Sequence, residues 1–305
     1  MQWWNVVGAI GRFMMRAGAV LLLFVAYQLW GTGLTTMRAQ DDLGRTFEAM
    51  LAEVPTTLAP SPSTAPTPSA PVSDFATPEP GEPVGRLSIP RIGVDKIIVQ
   101  GVDLSLLRKG PGHFPQTPLP GQPGNSAIAG HRTTYDAPFN RIDELDPGDT
   151  ITVTTLQGTF LYVVDAHPGE RGMEGHRIVG PNDVSILDQG RTDRLTLMAC
   201  NPKYSASQRI VVTATLTSPV AAATPIPTDM GVTTDASIDP LAGGDPSAWP
   251  AALALSALTI ALWVGVWFAA RRWRRLPAYL VGTPIVLVSM FLAFEQIARL
   301  LPASY

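Results

Sequence analysis

The sequence predicts an all-β domain folded as a closed barrel and carried between membrane-spanning helices. Three observations predict it. From Gly85 to Leu216, short β-prone runs alternate with Gly- and Pro-rich turns, and no long amphipathic helix interrupts them. Three uncharged apolar stretches, Ala17 to Met37, Trp249 to Ala270 and Leu276 to Phe294, lie outside that region, each long enough to cross a bilayer. Two segments rich in Pro, Ala and Thr separate the barrel region from these ends. Of 305 residues, 46% are hydrophobic and only 15% charged, and the apolar excess sits at the two ends. Net charge is −3 with no basic block in the central region, so nucleic acid is excluded as a partner.

In chain order, Arg12 and Arg16 precede the dense apolar run Val20 to Trp30, which sets the amino terminus in the cytoplasm, with Trp3, Trp4, Tyr27 and Trp30 at the interfaces. A cleaved signal peptide is the rival reading, but the run exceeds the ~7–15 residues of a signal core. Residues 38–51 show apolar side chains at helical spacing and extend the helix outward, completing an anchor over 1–51. Residues 52–84 form a linker: nine prolines between Pro55 and Pro83 favour an extended polyproline-like spacer. At ~3.1 Å per residue it could reach roughly 90 Å from the bilayer.

The barrel region, 85–217, opens with strands over Gly85 to Val94 and Asp95 to Val102, broken at Pro90. Asp103 to Lys109 reads as a short helix with an acidic N-cap, Gly110 to Gly124 as loop, and Asn140 to Leu145 as a helical turn. Asp146-Pro-Gly-Asp149 is a turn, and strands Thr150 to Leu156 and Thr159 to Ala166 make a hairpin at Gln157-Gly158. Residues 218–247 repeat the linker composition. Residues 248–305 hold a transmembrane hairpin whose arginine-rich turn, Arg271 to Arg275, faces the cytoplasm, which leaves the barrel outside.

One stretch carries the chemistry: Arg194 to Leu216, RLTLMACNPKYSASQRIVVTATL, which holds the only cysteine. Leu195 to Met198 form a β-prone run that Asn201-Pro202 stops, so Cys200 sits at a strand's end. Arg209 opens a second strand in which Ile210, Val212, Ala214 and Leu216 alternate with Val211, Thr213 and Thr215. If the two strands pair, Arg209 comes beside the sulfur. One cysteine excludes an internal disulfide, and a lone thiol in an exported domain calls for an explanation. A thiol acts as a nucleophile when a neighbouring imidazole or cation helps it ionise. His131 is the best partner: it follows the short apolar strand Asn125 to Ala129 and Gly130, and so also stands at a strand's carboxyl end.

His131 in AGHRTTYDAPFNRIDEL, Cys200 in LTLMACNPKYSASQR and Arg209 nine residues later together resemble the sortase family, class E, over roughly Gly85 to Leu216. The resemblance implies an extracellular eight-stranded β-barrel that cuts a carboxyl-terminal sorting signal of the LPxTG or LAxTG type in secreted proteins. It implies transfer of the acyl group to an amine, on a peptidoglycan precursor or a pilin lysine. It makes Cys200 the nucleophile, His131 the general acid and base, and Arg209 the group that orients substrate and stabilises the oxyanion. Tyr135 and Asn140 near the histidine, and Thr196 and Ala199 before the cysteine, are taken as substrate-binding. Two residues depart from the family pattern: Ala199 replaces the usual Thr before the cysteine, and Asp136 stands where glycine is common.

No cofactor and no metal is assigned, because Asp183, Asp188 and Asp193 are scattered and read as turn chemistry. His113, His167 and His176 read as structural or exposed, with His113 in a loop able to approach the site. The rivals are a catalytically inactive exported barrel that binds wall polymer or partner proteins, and a different exported cysteine transpeptidase, whose SHGC-type sequence the chain lacks.

Overall fold

In the computed structural model, residues 3–54, 76–169, 172–225, 244–273 and 275–301 are described. Most of both expected linkers, 55–75 and 226–243, lies outside these residues. The chain divides into two units, one made of residues up to 32 with those from 243 to 302, the other of residues 33–242.

The first unit is helical. It comprises α1 (Trp3–Ala26), a π-helical turn (Tyr27–Gly31) and two further long helices near the carboxyl end. Three helical stretches are long and apolar enough to cross a membrane, and large side chains such as Phe13, Leu22 and Leu280 point outward, as lipid contact requires. Inside, Tyr27 meets Phe291 edge-on at 5.0 Å and Phe24 meets Phe294 at 5.1 Å.

The second unit begins within α2 (Thr32–Glu53) and contains the barrel. Its strands are β1 (Pro83–Ile89), β2 (Val94–Gln100), β3 (Gly112–His113), β4 (Asn125–Ala129), β5 (Thr150–Thr155) and β6 (Gly158–Val164). There follow a ribbon, β7 (His167–Gly169) with β8 (Gly172–Glu174), then β9 (Arg177–Val179), β10 (Arg194–Asn201) and β11 (Gln208–Leu216). The order β10-β4-β3-β2-β1-β5-β6-β11 closes where β11 pairs with β10, giving an eight-stranded barrel. β9 takes the stretch of the β11 edge, Arg209 to Val211, that β6 leaves open.

Alternation along β10 and β11 sorts the two faces. Leu195, Leu197, Ala199, Ile210, Val212 and Ala214 fill the interior with Leu87, Ile98, Ile151 and Tyr162. Met198, Cys200 and Val211 belong to a second cluster with Ala127, Ala129, Phe114 and Ile186 on the outer face. The chain ends in α4 (Trp249–Arg272) and α5 (Arg275–Leu300), which return to the first unit; between β2 and β3 lies α3 (Leu104–Leu107).

Several expectations need correction. Asp103 stands at the N-cap of α3, but its side chain makes no capping bond; its backbone carbonyl takes the Leu106 and Leu107 amides instead. His113 is in strand β3 rather than a loop, fully buried. Its Nδ1 lies 2.8 Å from the Gln100 carboxamide and its Nε2–H donates to Pro118 O at 2.9 Å, and burial pushes its pKa down to about 4. It is a neutral structural residue. Leu43 and Phe47 of α2 pack on Ile97, Val99 and Leu106, while most of the expected spacer, 55–75, lies outside the described residues.

Candidate active site

The three chemical residues stand side by side because of strand register. Cys200 is the direct partner of Arg209 across the β10–β11 pair. On its other side β10 runs parallel to β4 with Met198 opposite Ala129, and the Gly130 amide continues the ladder by donating to Met198 O at 3.0 Å. Two residues on from that pair come Cys200 and His131. Cys200 and Arg209 thus face each other across two strands, and His131 stands two residues beyond the end of β4, the strand on the other side of β10.

All three are buried: Cys200 is 4% exposed, His131 0% and Arg209 1%. The cluster around Cys200 also packs against Val179, Leu187 and Ala206. Arg209 uses Nη1 to donate to Ala206 O at 2.9 Å and Gln208 O at 2.7 Å, which shapes the loop between β10 and β11.

The histidine is fastened by its neighbours. Gly130 permits a close approach, since a Cβ there would lie 2.6 Å from the Phe139 ring, and Phe139 N donates to His131 O at 3.1 Å. Arg132, which the sequence reading passed over, is the strongest tie. Its Nη1 donates to Cys200 O at 3.2 Å and Asn201 Oδ1 at 2.6 Å, while Nη2 pairs with Asp143 at 3.0 Å. Burial alone would raise the Asp143 carboxyl; the hydrogen bond from Arg132, with its charge and that of Lys203, outweighs this and holds the group below the ordinary carboxylate range. The available signal was a cation directly after the candidate histidine.

The expected substrate-binding residues separate. Tyr135 is beside the site, its ring 4.9 Å from that of His131. Asn140 laces the loop, with Nδ2 donating to Arg132 O at 2.8 Å and Oδ1 facing Lys203 Nζ at 3.4 Å. Thr196 is four residues down the strand, where its hydroxyl donates to Asn125 Oδ1 at 2.7 Å and so ties β10 to β4. Ala199 points into the barrel interior, as its odd position beside Cys200 dictates, and its side chain does not face the thiol. Among the acidic residues, Asp183 accepts from Ser185 N and Asp193 from Gly124 N. Among the described residues, no group of three or more metal-ligating side chains forms.

The fold is a closed β-barrel with a thiol, an imidazole and a guanidinium on neighbouring segments. The sortase domain family model matches residues 87–217. Sortase SrtE1 of Streptomyces coelicolor is 29% identical over 220 residues, covering 67% of this chain and 55% of that protein. Sortase D of Bacillus subtilis is 33% identical over 126 residues, covering 41% of this chain and 58% of that protein. The chain therefore spans a little over half the length of these two relatives. A solved sortase E from Streptomyces avermitilis is 34% identical, with 46% of this chain and 91% of that chain covered and a TM-score of 0.40. The chain belongs to the sortase family of cysteine transpeptidases, and its class E relatives also include sortase SrtE2 of Streptomyces coelicolor, 25% identical over 222 residues.

Proposed function

We propose that the chain is a membrane-anchored, class E-like sortase. The observation that carries this reading is the pairing of Cys200 with Arg209 across β10 and β11, with His131 two residues beyond the end of the neighbouring β4. The Cys200 thiolate attacks the Thr carbonyl of a sorting signal, LPxTG or LAxTG in type, and the oxyanion is met by Arg209 and backbone N–H groups. His131 protonates the departing amine, leaving a thioester. An amine of a peptidoglycan precursor or a pilin lysine, deprotonated by His131, then resolves it. The clients are secreted proteins with a carboxyl-terminal signal. The arginine-rich turn between α4 and α5 and the arginines in α1 support a catalytic barrel on the outer side of the cell membrane. Because the thiol is buried, the signal peptide must part the outer cover before attack.

Detergent-solubilised full chain, incubated with fluorogenic LPxTG-type and LAxTG-type peptides with and without an added amine, tests this beside Cys200→Ala. Cysteine-dependent cleavage with transfer to the amine is expected. Cleavage that survives Cys200→Ala would refute the mechanism. A wild type with no turnover on either signal class would favour the inactive binding barrel.

A further inference from the structure

Helix α2 joins the barrel wall where a strand is missing. β3 is two residues long and pairs only with Val99 and Gln100 of β2, so the same edge of β2 is bare at Ile97. Gln40 occupies that place as a strand residue would. Its Nε2 donates to Ile97 O at 3.0 Å, its Oε1 accepts from Ile97 N at 2.8 Å, and Nε2 also reaches Lys109 O at 2.8 Å. One turn earlier, Thr36 Oγ1 donates to Arg108 O at 2.8 Å. Leu43 and Phe47 then cover Ile97, Val99 and Leu106.

The residues held this way lead to the site. The Arg108 guanidinium lies 5.7 Å from the centroid of the Tyr135 ring, which in turn lies against His131. Lys96, next to Ile97, pairs with Asp136. Tyr135, Asp136 and Ala137 have φ of 53°, 62° and 39°, three successive left-handed residues that carry side chains. Each such residue costs about 1–3 kcal/mol and persists only where its surroundings hold it. The strained tripeptide sits four residues from the histidine, and two of its three side chains are held by cations whose backbones are fixed beside α2.

We propose that α2 is a working part of the catalytic domain, and that through Arg108 on Tyr135 and Lys96 on Asp136 it sets the place of the His131 imidazole. Arg108 is then a positioning residue. The functional half rests on His131 being the acid and base of a transpeptidase; the ordering of the loop does not.

The test uses full chain in detergent as wild type, Arg108→Ala, Arg108→Lys and Gln40→Ala. Amide hydrogen exchange followed by mass spectrometry should show residues 131–140 exchanging about tenfold faster in Arg108→Ala and Gln40→Ala, with β10 and β11 unchanged. Unchanged exchange at 131–140, or acceleration spread equally over the barrel, overturns the proposal. In peptide cleavage, Arg108→Ala should lower kcat by about ten- to a hundredfold with KM nearly constant, and Arg108→Lys should recover most of the loss. A loss carried by KM alone, or none, overturns the positioning role. A wild type that cleaves no peptide defeats the transpeptidase reading, and exchange alone then decides whether α2 orders the loop.

Discussion

Arg132→Ala removes a buried guanidinium that joins the His131 loop to the carbonyl of Cys200, the proposed nucleophile. Breaking a buried ion pair costs about 3–5 kcal/mol when the abandoned charge stays dry. Here Asp143 is 39% exposed and rehydrates, so the loss is dominated by the two bonds to Cys200 O and Asn201 Oδ1. Hydrogen bonds to a charged donor are worth about 1.5–3 kcal/mol each, and two sharing one nitrogen do not add fully, which puts the cost at about 2–3 kcal/mol. For a domain of this size that is a fall in melting temperature of about 5–10 °C. Catalysis should suffer more than stability. Freed from Cys200 O, His131 shifts relative to the thiol, and a displacement of about 1 Å costs on the order of a hundredfold in kcat. Arg132→Lys keeps the charge but not the fork and should fall between. The assays are thermal unfolding and steady-state peptide cleavage. If the melting temperature falls while kcat holds, Arg132 only supports the fold and the reasoning fails.

Further outcomes follow from other residues. His113, with a folded pKa of about 4 against an ordinary 6.5, stays neutral in the fold but takes a proton when unfolded. Stability from this residue is therefore full above about pH 6.5 and declines as pH falls toward 4, by about 3 kcal/mol in all, and urea midpoints across that range should be steeper for wild type than for His113→Gln. Ala199→Thr puts a methyl and a hydroxyl into the filled interior, so it should cost about 1–3 kcal/mol while leaving the ratio of rates on LPxTG-type and LAxTG-type peptides unchanged; a changed ratio would show that the side chain does reach substrate. Gly130→Ala drives a Cβ to 2.6 Å from the Phe139 ring and should lower kcat by about tenfold or more through the same loop, measured by peptide cleavage. Phe47→Ala, which empties a side chain only 2% exposed, should cost about 3 kcal/mol by chemical denaturation, and no cost would mean that α2 does not stabilise the barrel.

What was legible in the sequence was whatever strand geometry alone decides. The proline after Asn201 and the period of two from Arg209 placed the ends of β10 and β11, and with them Cys200 opposite Arg209. The same period held the information that Ala199 and Cys200 point to opposite faces, and reading Ala199 as substrate-binding left it unused. Other features depend on contacts between distant segments. Gln40 looks like any polar residue on a helix until the two-residue length of β3 exposes Ile97, and only tertiary structure sets that length. Arg132 has no periodic signal, because two of its partners, Cys200 and Asn201, come from a strand far along the chain. The ribbon β7–β8 and strand β9 are three residues each, too short for alternation to register.

The placement of the thiol on the outer face has a mechanical consequence. Its interior neighbours, Leu197 and Ala199, are locked in a core shared by seven of the eight barrel strands, so the site's floor cannot move without breaching the barrel. The partly buried residues packed against the outer cluster that holds Cys200 are built differently. Val179 belongs to a three-residue strand paired only with Arg209 to Val211, Leu187 ends the single helical turn Val184–Leu187, and Ala206 lies in the loop that Arg209 shapes. Each piece has few backbone bonds to lose, and segments of that kind open at a small fraction of the global unfolding free energy. In the proposed reaction a peptide reaches a thiol that is 4% exposed by parting these segments, while the strand register that places Cys200 opposite Arg209 stays intact beneath it.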